Sequence, residues 1–324
     1  MNFLTLKGIA LKSDDGFALK NITFEQKKYQ RIAIAGESGS GKTSLLKVIA
    51  GLYQPDRGTV KFLDKKVDGP NDKLVPGHQE IAYLSQHFEL PKFLRVEQVL
   101  SYANLITDKE ALTIYKICQI DHLLKRKTDQ LSGGERQRIA LSKLLITSPK
   151  LLLLDEPFSH LDPVHKDILK SVISDFSHKL KITCILVSHD PGDTLPWADK
   201  MILLKDGRIV QQGSPQQLYN KPVNKYAAGL LGPYSILRDE HAEILGYKKR
   251  RGKRILVRPE SFHIVSRGNN TLAGVVEEVR FTGGQSELLV RIGEDFIRVS
   301  ANAKAIKRGG KIKLSLQDVT CWIS

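Results

Sequence analysis

The segment Gly36-Glu37-Ser38-Gly39-Ser40-Gly41-Lys42-Thr43 constrains the fold of this chain more than any other. It follows the apolar run Ile32-Ala33-Ile34-Ala35 and leads into Ser44-Leu45-Leu46-Lys47-Val48-Ile49-Ala50, whose apolar positions suit a buried helix. Strand, glycine-rich turn and helix are the context in which G-x-x-x-x-G-K-[ST] becomes a phosphate cradle. The glycines let successive backbone N–H groups converge on a phosphate, and the helix N-terminus adds unpaired donors and partial positive charge. In such a loop Lys42 reaches the β- and γ-phosphates, and Thr43 offers its hydroxyl to Mg²⁺. The loop is therefore expected to hold a nucleoside triphosphate. Taken alone, it suits a kinase, a GTPase or a motor equally.

With 324 residues the chain can build two domains, each with its own core. No run approaches the roughly 20 apolar residues that span a bilayer. Met1-Asn2-Phe3-Leu4-Thr5-Leu6-Lys7 lacks the basic and long apolar regions of a signal peptide. Cys118, Cys184 and Cys321 lie far apart and fit no metal spacing, so a reducing cytosol is expected. The formal charge of +15 suits nucleic acid, an anionic membrane surface or a well-solvated exterior. The dense run at Lys248, Lys249, Arg250, Arg251, Lys253 and Arg254 has no interleaved aromatic residues on which bases could stack, and it reads first as a solvated loop, next as a contact for membrane lipid or an acidic partner, and last as a nucleic-acid site.

Further along, Thr59-Val60-Lys61-Phe62-Leu63 and Ile81-Ala82-Tyr83-Leu84 read as strands. From about Phe88 to Thr128 strand character is lost; Val96, Val99, Leu100 and Ala103, then Leu112, Tyr115 and Lys116, show helical spacing. Leu151-Leu152-Leu153-Leu154 and Ile182-Thr183-Cys184-Ile185-Leu186-Val187 are apolar without alternation, as parallel strands covered on both faces are. Asp162-Pro163 predicts a helix start, and Lys205-Asp206-Gly207 a hairpin turn. This alternation of strands and helices predicts an α/β domain with a mainly parallel sheet. Beyond Gly232-Pro233 the pattern becomes short, alternating and turn-rich, ending in Lys311-Ile312-Lys313-Leu314-Ser315-Leu316, so a small all-β domain is expected.

Asp155 ends a buried strand and is suited to hold Mg²⁺ with Thr43; Glu156 beside it is suited to deprotonate an attacking water. Pro157 argues against simple helix capping by these acids. His189 also follows a strand end. It is either an ordinary satisfied histidine or a contact for the γ-phosphate that steadies transition-state charge. Gln86 is a candidate to ligate Mg²⁺ or to position water. Ser132-Gly133-Gly134, at a helix start, offers a second set of phosphate donors. Two phosphate-type sites with one lysine-bearing loop suggest two chains, each lending its second site to the nucleotide held by the other.

Together these motifs resemble the ATP-binding subunit of an ABC transporter. Residues 36–43 match the Walker A loop, Gln86 the Q-loop, residues 131–135 (LSGGE) the signature, residues 151–156 the Walker B strand, residues 159–162 the D-loop and His189 the switch histidine. Residues 218–222, 255–260, 274–276 and 281–284 resemble the TOBE-type β-domain of bacterial importer ATPases that serve sugars, polyamines, ferric iron, sulfate or molybdate. The resemblance implies a P-loop NTPase domain over 1–235 and a C-terminal all-β, OB-like barrel over 236–324. The first would have a mainly parallel sheet, an antiparallel β-subdomain and a helical subdomain at about 88–150. It also implies ATP and Mg²⁺ as ligands and a head-to-tail homodimer with ATP between Walker A of one copy and the signature of the other. Two transmembrane permease subunits, and indirectly a substrate-binding protein, would be partners at the cytoplasmic face of the inner membrane, with no nucleic acid involved. Carried over by position, Gly36, Glu37, Ser38, Gly39, Ser40, Gly41, Lys42, Thr43 and Ser44 bind nucleotide, with Ser132, Gly133 and Gly134 from the second copy. Thr43, Asp155 and Gln86 serve Mg²⁺, Glu156 is the base, and His189 contacts the γ-phosphate.

Three departures stand out. Ser13 falls near the place of the usual adenine-stacking aromatic, which leaves Phe17 as the nearest candidate. Glu135 replaces the commoner Gln of the signature, and His160 replaces a small D-loop residue. The rival reading is a soluble ABC ATPase acting on nucleic acid or ribosomes. Such proteins usually carry two ATPase halves or long inserted arms, and this sequence shows neither. A degenerate, purely regulatory subunit is disfavoured by intact Lys42, Asp155, Glu156 and His189.

Overall fold

A computed structural model describes residues 3–13, 16–86, 89–248, 253–302, 306–316 and 321–323. Contacts group the chain into two compact units, Met1–Pro215 and Gln216–Ser324. Asp14 and Asp15, which with Gly16 read as a turn in the sequence, the start of the helical tract at Phe88, and Lys249, Arg250 and Arg251 of the basic run lie outside the described residues.

The strands of the first unit are β1 (Leu4–Ser13), β2 (Gly16–Gln26), β3 (Arg31–Ala35), β4 (Arg57–Phe62), β5 (Lys65–Lys66), β6 (Ile81–Leu84), β7 (Leu151–Asp155), β8 (Thr183–Val187), β9 (Lys200–Lys205) and β10 (Arg208–Gly213). Its helices are α1 (Lys42–Ile49), α2 (Val96–Ser101), α3 (Asp108–Ile117), α4 (Gly133–Leu145), α5 (Pro163–Lys179) and α6 (Pro191–Thr194). A six-stranded sheet runs in the order β10-β9-β3-β8-β7-β6, parallel except for the edge strand β10, and a four-stranded antiparallel sheet runs β2-β1-β4-β5.

Every residue of β7 and β8 is buried, because two apolar clusters flank the central sheet. Leu151, Leu153, Ile185 and Val187 face a cluster with Leu45 and Leu46 of α1 and Leu4, Leu6 and Phe24 of the antiparallel sheet. Leu152, Leu154, Cys184 and Leu186 face the other, with Ile139 and Leu145 of α4 and Val172 and Phe176 of α5. Each such side chain contributes about 1.5–3 kcal/mol by leaving water, so together they lock the strand register. In that register Ile34 and Asp155 both pair with Val187, so β3, β8 and β7 end level with one another. The loops after them emerge side by side, which is what positions the site.

The helical tract departs from the sequence expectation by a small rotation. In α3 the buried residues are Ala111, Ile114 and Tyr115, whereas Leu112 is half exposed. Thr107 and Glu110 form a capping box that sets where α3 begins, and the apolar stripe follows from that start. The hairpin β9–β10 turns through Asp206 (φ 48°) and Gly207 (φ 74°), the left-handed pair that a two-residue loop requires.

In the second unit, α7 (Pro215–Asn220), which begins at the boundary, is followed by α8 (Lys225–Leu231), β11 (Ser235–Leu237), α9 (Asp239–Ile244), β12 (Arg254–Val257), β13 (Phe262–Val265), β14 (Leu272–Phe281), β15 (Ser286–Ile292), β16 (Asp295–Ala301), β17 (Lys311–Leu316) and β18 (Cys321–Ile323). A three-stranded sheet, β11-β12-β18, and a five-stranded antiparallel sheet, β13-β17-β14-β15-β16, make up its β-structure. Leu314 of β17 is fully buried, with Ile312 and Leu316 packed against the same core, while Lys311 and Lys313 point outward as alternation predicts. Helix α8 belongs to this unit, where Ala228 packs on Leu256 and Ile323.

Candidate nucleotide site

The loop between β3 and α1 is shaped by glycine where nothing else fits. Gly41 has φ 98°, and a Cβ there would lie 2.4 Å from the carbonyl oxygen of Ala18. Lys42 opens α1 and is only 8% exposed; its Nζ donates to the carbonyls of Gly36 and Glu37, each at 2.8 Å. Burial lowers the Lys42 ammonium below the ordinary lysine value, while the charges of Glu156, Asp155 and Glu37 work to keep it protonated. The cation is thus folded into its own loop and lies within the field of the acids that end β7. Gly36 and Ser40 are buried, Glu37, Ser38, Gly39 and Thr43 are exposed, and Ser44 is partly buried. Among the described residues the buried hydroxyl of Ser40 has no hydrogen-bond partner.

Asp155 is 1% exposed, and both carboxylate oxygens are engaged. Thr43 Oγ1 donates to Oδ1 at 3.2 Å, and the Tyr83 hydroxyl donates to Oδ2 at 2.8 Å. Burial first, and then Asp155 itself, push the Tyr83 hydroxyl well above its ordinary pKa, so it stays a donor. Tyr83 was not a sequence candidate. It lies on β6 opposite Leu153, and that pairing of β6 with β7 was the missing information.

Glu156 leaves the sheet with φ 51°, and its N–H donates to the carbonyl of Val187 at 3.0 Å. Its Oε2 lies 2.9 Å from His189 Nδ1. The glutamate side chain is 13% exposed and the imidazole 71%, so the pair runs from the strand ends out to solvent. Lys42, Thr43, Asp155, Glu156 and His189 therefore converge across three neighbouring strand ends.

The LSGGE segment is used differently. Ser132 caps α4: its Oγ accepts the Glu135 N–H at 3.2 Å, and the Glu135 carboxylate accepts the Ser132 N–H at 2.8 Å. Ser132 and Gly133 are exposed, while Gly134 is buried under His165, whose ring carbon would lie 2.6 Å from a Cβ at that position. Gln86 is exposed and lines a cleft of about 1030 Å³ with Gly133, Arg136, Gln137 and His160. The Phe17 side chain lies outside what the structure describes, so adenine stacking stays an expectation.

Residues 19–159 match the ABC transporter family, and residues 255–323 match the TOBE domain. The spermidine/putrescine import ATP-binding protein of Clostridium acetobutylicum is 30% identical over 335 residues, covering 97% of this chain and 94% of that protein. The chain belongs to the ABC transporter ATPase family. The Fe(3+) ions import ATP-binding protein of Photobacterium profundum is 31% identical over 311 residues, covering 89% of this ABC ATPase and 88% of its relative. Among solved structures, an ATP-binding cassette captured as a dimer in a post-hydrolysis state with ADP and Pi is 25% identical. It superposes with a TM-score of 0.57 over 65% of this chain and 98% of its own. An ABC transporter domain joined to a TOBE domain is the importer-type arrangement that the sequence resemblance implied. No helix among the described residues is long and apolar enough to cross a membrane.

Proposed function

We propose that this ABC ATPase hydrolyses ATP to power import through separate transmembrane subunits, acting as a homodimer at the cytoplasmic membrane face. The observation that carries this reading is the row of Lys42, Thr43, Asp155, Glu156 and His189 at adjacent strand ends. Lys42 and the N–H groups of residues 36–44 would bind the β- and γ-phosphates, and the orphaned Ser40 hydroxyl suits a phosphate oxygen. Thr43 and Asp155 present two hard oxygen donors 3.2 Å apart, a set suited to Mg²⁺. Bound there, that ion would neutralise charge on the phosphates.

Glu156 would orient a water and take its proton as the water oxygen bonds the γ-phosphorus and the bond to ADP breaks. His189, held by Glu156, would donate to the γ-phosphate and steady the charge that develops there. Gln86, in its cleft, would report the state of the site to a permease subunit. Ser132, Gly133 and Gly134 of a second copy would complete the pocket, so that ATP closes the dimer and hydrolysis releases it. The residue-88-to-128 tract would receive the permease, the second unit would stabilise or regulate the dimer, and cargo choice would rest with the permease and a substrate-binding protein.

Two substitutions test this. Glu156→Gln should abolish phosphate release while retaining ATP, with dimers accumulating in size-exclusion chromatography; hydrolysis that persists would remove Glu156 as the base. Lys42→Ala should lose ATP affinity in a direct binding assay, and unchanged affinity would undo the phosphate-cradle assignment.

A further inference from the structure

The imidazole of His189 reaches into solvent, yet the residues on either side of it are tightly held. Asp193 is 3% exposed, and its carboxylate sits between two lysines of α5: Oδ1 lies 2.8 Å from Lys166 Nζ and 2.9 Å from Lys170 Nζ. Its other oxygen accepts the Ser188 hydroxyl at 3.1 Å. Lys166 Nζ also donates to Asp190 Oδ2 at 2.6 Å. The Asp190 N–H donates to Ser188 Oγ at 3.2 Å, and its other carboxylate oxygen accepts the Gly192 N–H at 2.8 Å. The residues before and after His189 are therefore both anchored, directly or through Ser188, to one ion cluster centred on the buried Asp193 carboxylate. Lys170 also lies 5.9 Å from the ring centroid of Phe158, two residues past Glu156. Helix α5 thus touches both segments that bring the Glu156–His189 pair together.

We propose that Lys166, Lys170 and Asp193 are positioning residues for His189: they fix the backbone of residues 188–193 so that the imidazole meets Glu156 and the γ-phosphate together. The proposal rests on the assignment of His189 to the γ-phosphate. A buried carboxylate between two ammonium groups is costly to bury, and removing one partner leaves an unmatched charge that rearranges the loop. A displacement of about 1 Å at a reacting group lowers turnover by up to about 100-fold without touching the groups that bind the substrate.

The test is steady-state ATP hydrolysis by the full chain with Mg²⁺, comparing His189→Ala, Lys166→Met, Lys166→Arg, Asp193→Asn and the double variant His189→Ala/Asp193→Asn. Lys166→Met and Asp193→Asn should lower kcat about 10- to 100-fold and leave KM for ATP within about twofold. Lys166→Arg should restore most of kcat, and Asp193→Asn should cost nothing further once His189 is gone. Should Asp193→Asn fail to fold, Lys166→Met/Lys170→Met/Asp190→Asn/Asp193→Leu removes all four charges of the cluster together and is read in the same way. If His189→Ala is inactive while the cluster variants keep wild-type kcat, or if their losses add to that of His189→Ala, the positioning proposal is overturned and the His189 assignment survives. If His189→Ala keeps wild-type kcat, the assignment itself falls, and the proposal with it.

Discussion

Lys42 and Asp155 show how the site balances burial against charge. Lys42 is taken out of water beside three carboxylates, and Asp155 is taken out of water against two hydroxyl donors. Tyr83 is the donor less replaceable by solvent, because it is partly buried whereas Thr43 is exposed. Tyr83→Phe should raise the Mg²⁺ concentration needed for half-maximal hydrolysis about tenfold or more, since losing a hydrogen bond to a charged group is worth about 1.5–3 kcal/mol. An unchanged Mg²⁺ titration would show that Asp155 holds its orientation without it. Gly41→Ala should remove ATP binding, as the added carbon meets a backbone oxygen and the φ of 98° strains any other residue; isothermal titration would reveal retained affinity if the loop relaxes. Burial pushes the Cys118 thiol up to about 12, against weaker opposing effects of Ser142 and Arg138. Cys118 should therefore resist thiol reagents at pH 8 until the protein is unfolded, and rapid labelling of Cys118 in the folded chain would contradict its burial.

Helix α4 is the element on which stability and the proposed shared site meet. Its capping box uses the very serine that is expected to touch the neighbour's nucleotide. Burial alone would raise the Glu135 carboxyl, but the Ser132 N–H and hydroxyl, helped by Arg126, hold it below the ordinary glutamate range. A lowered folded-state pKa means stability present above the unfolded value of 4.5 and lost as pH falls through the folded value. Glu135→Gln keeps the box geometry without the charge, so its unfolding midpoint in urea should match wild type less closely at pH 7 than at pH 3. A wild-type–variant gap that stays constant across that pH range would show that the carboxylate adds no linkage. Ser132→Ala should cost about 1 kcal/mol from the cap alone, which sets the background against which any loss of hydrolysis is judged.

The whole chain is two cores with different kinds of anchor. The first is held by a sheet sandwiched between two apolar clusters. The second contains a buried cation with its own set of acceptors: Arg258, 2% exposed, donates to the carbonyls of Tyr219, Ala228, Gly232 and Pro233 at 2.9–3.1 Å for its closest bond to each. Its guanidinium carbon lies 4.1 Å from the Tyr219 ring centroid, and the Tyr219 hydroxyl donates to Glu260 at 2.7 Å. Arg258 thereby ties α7 and α8 to the β-structure of the second unit. Arg258→Met leaves several buried carbonyls unpaired and should destabilise that unit by about 3 kcal/mol or more. Limited proteolysis should then cut within residues 216–235, and wild-type resistance there would show that apolar packing alone holds these helices.

Much of the ATPase could be read along the chain because its chemistry is written in short contiguous segments. The phosphate loop, the helix start at LSGGE and the acids after an unbroken apolar strand each depend on neighbours a few residues away, where backbone geometry follows from residue type. Hairpin β9–β10 and the alternation of β17 were legible for the same reason. Tyr83 against Asp155, His165 over Gly134, the lysine pair around Asp193 and the carbonyl cage of Arg258 were not. Each joins groups distant in sequence, and their meeting depends on strand order and on which helix face turns inward. The half-exposed Leu112 makes the point in miniature: periodicity announced a helix, but the packing of that helix chose the face to bury.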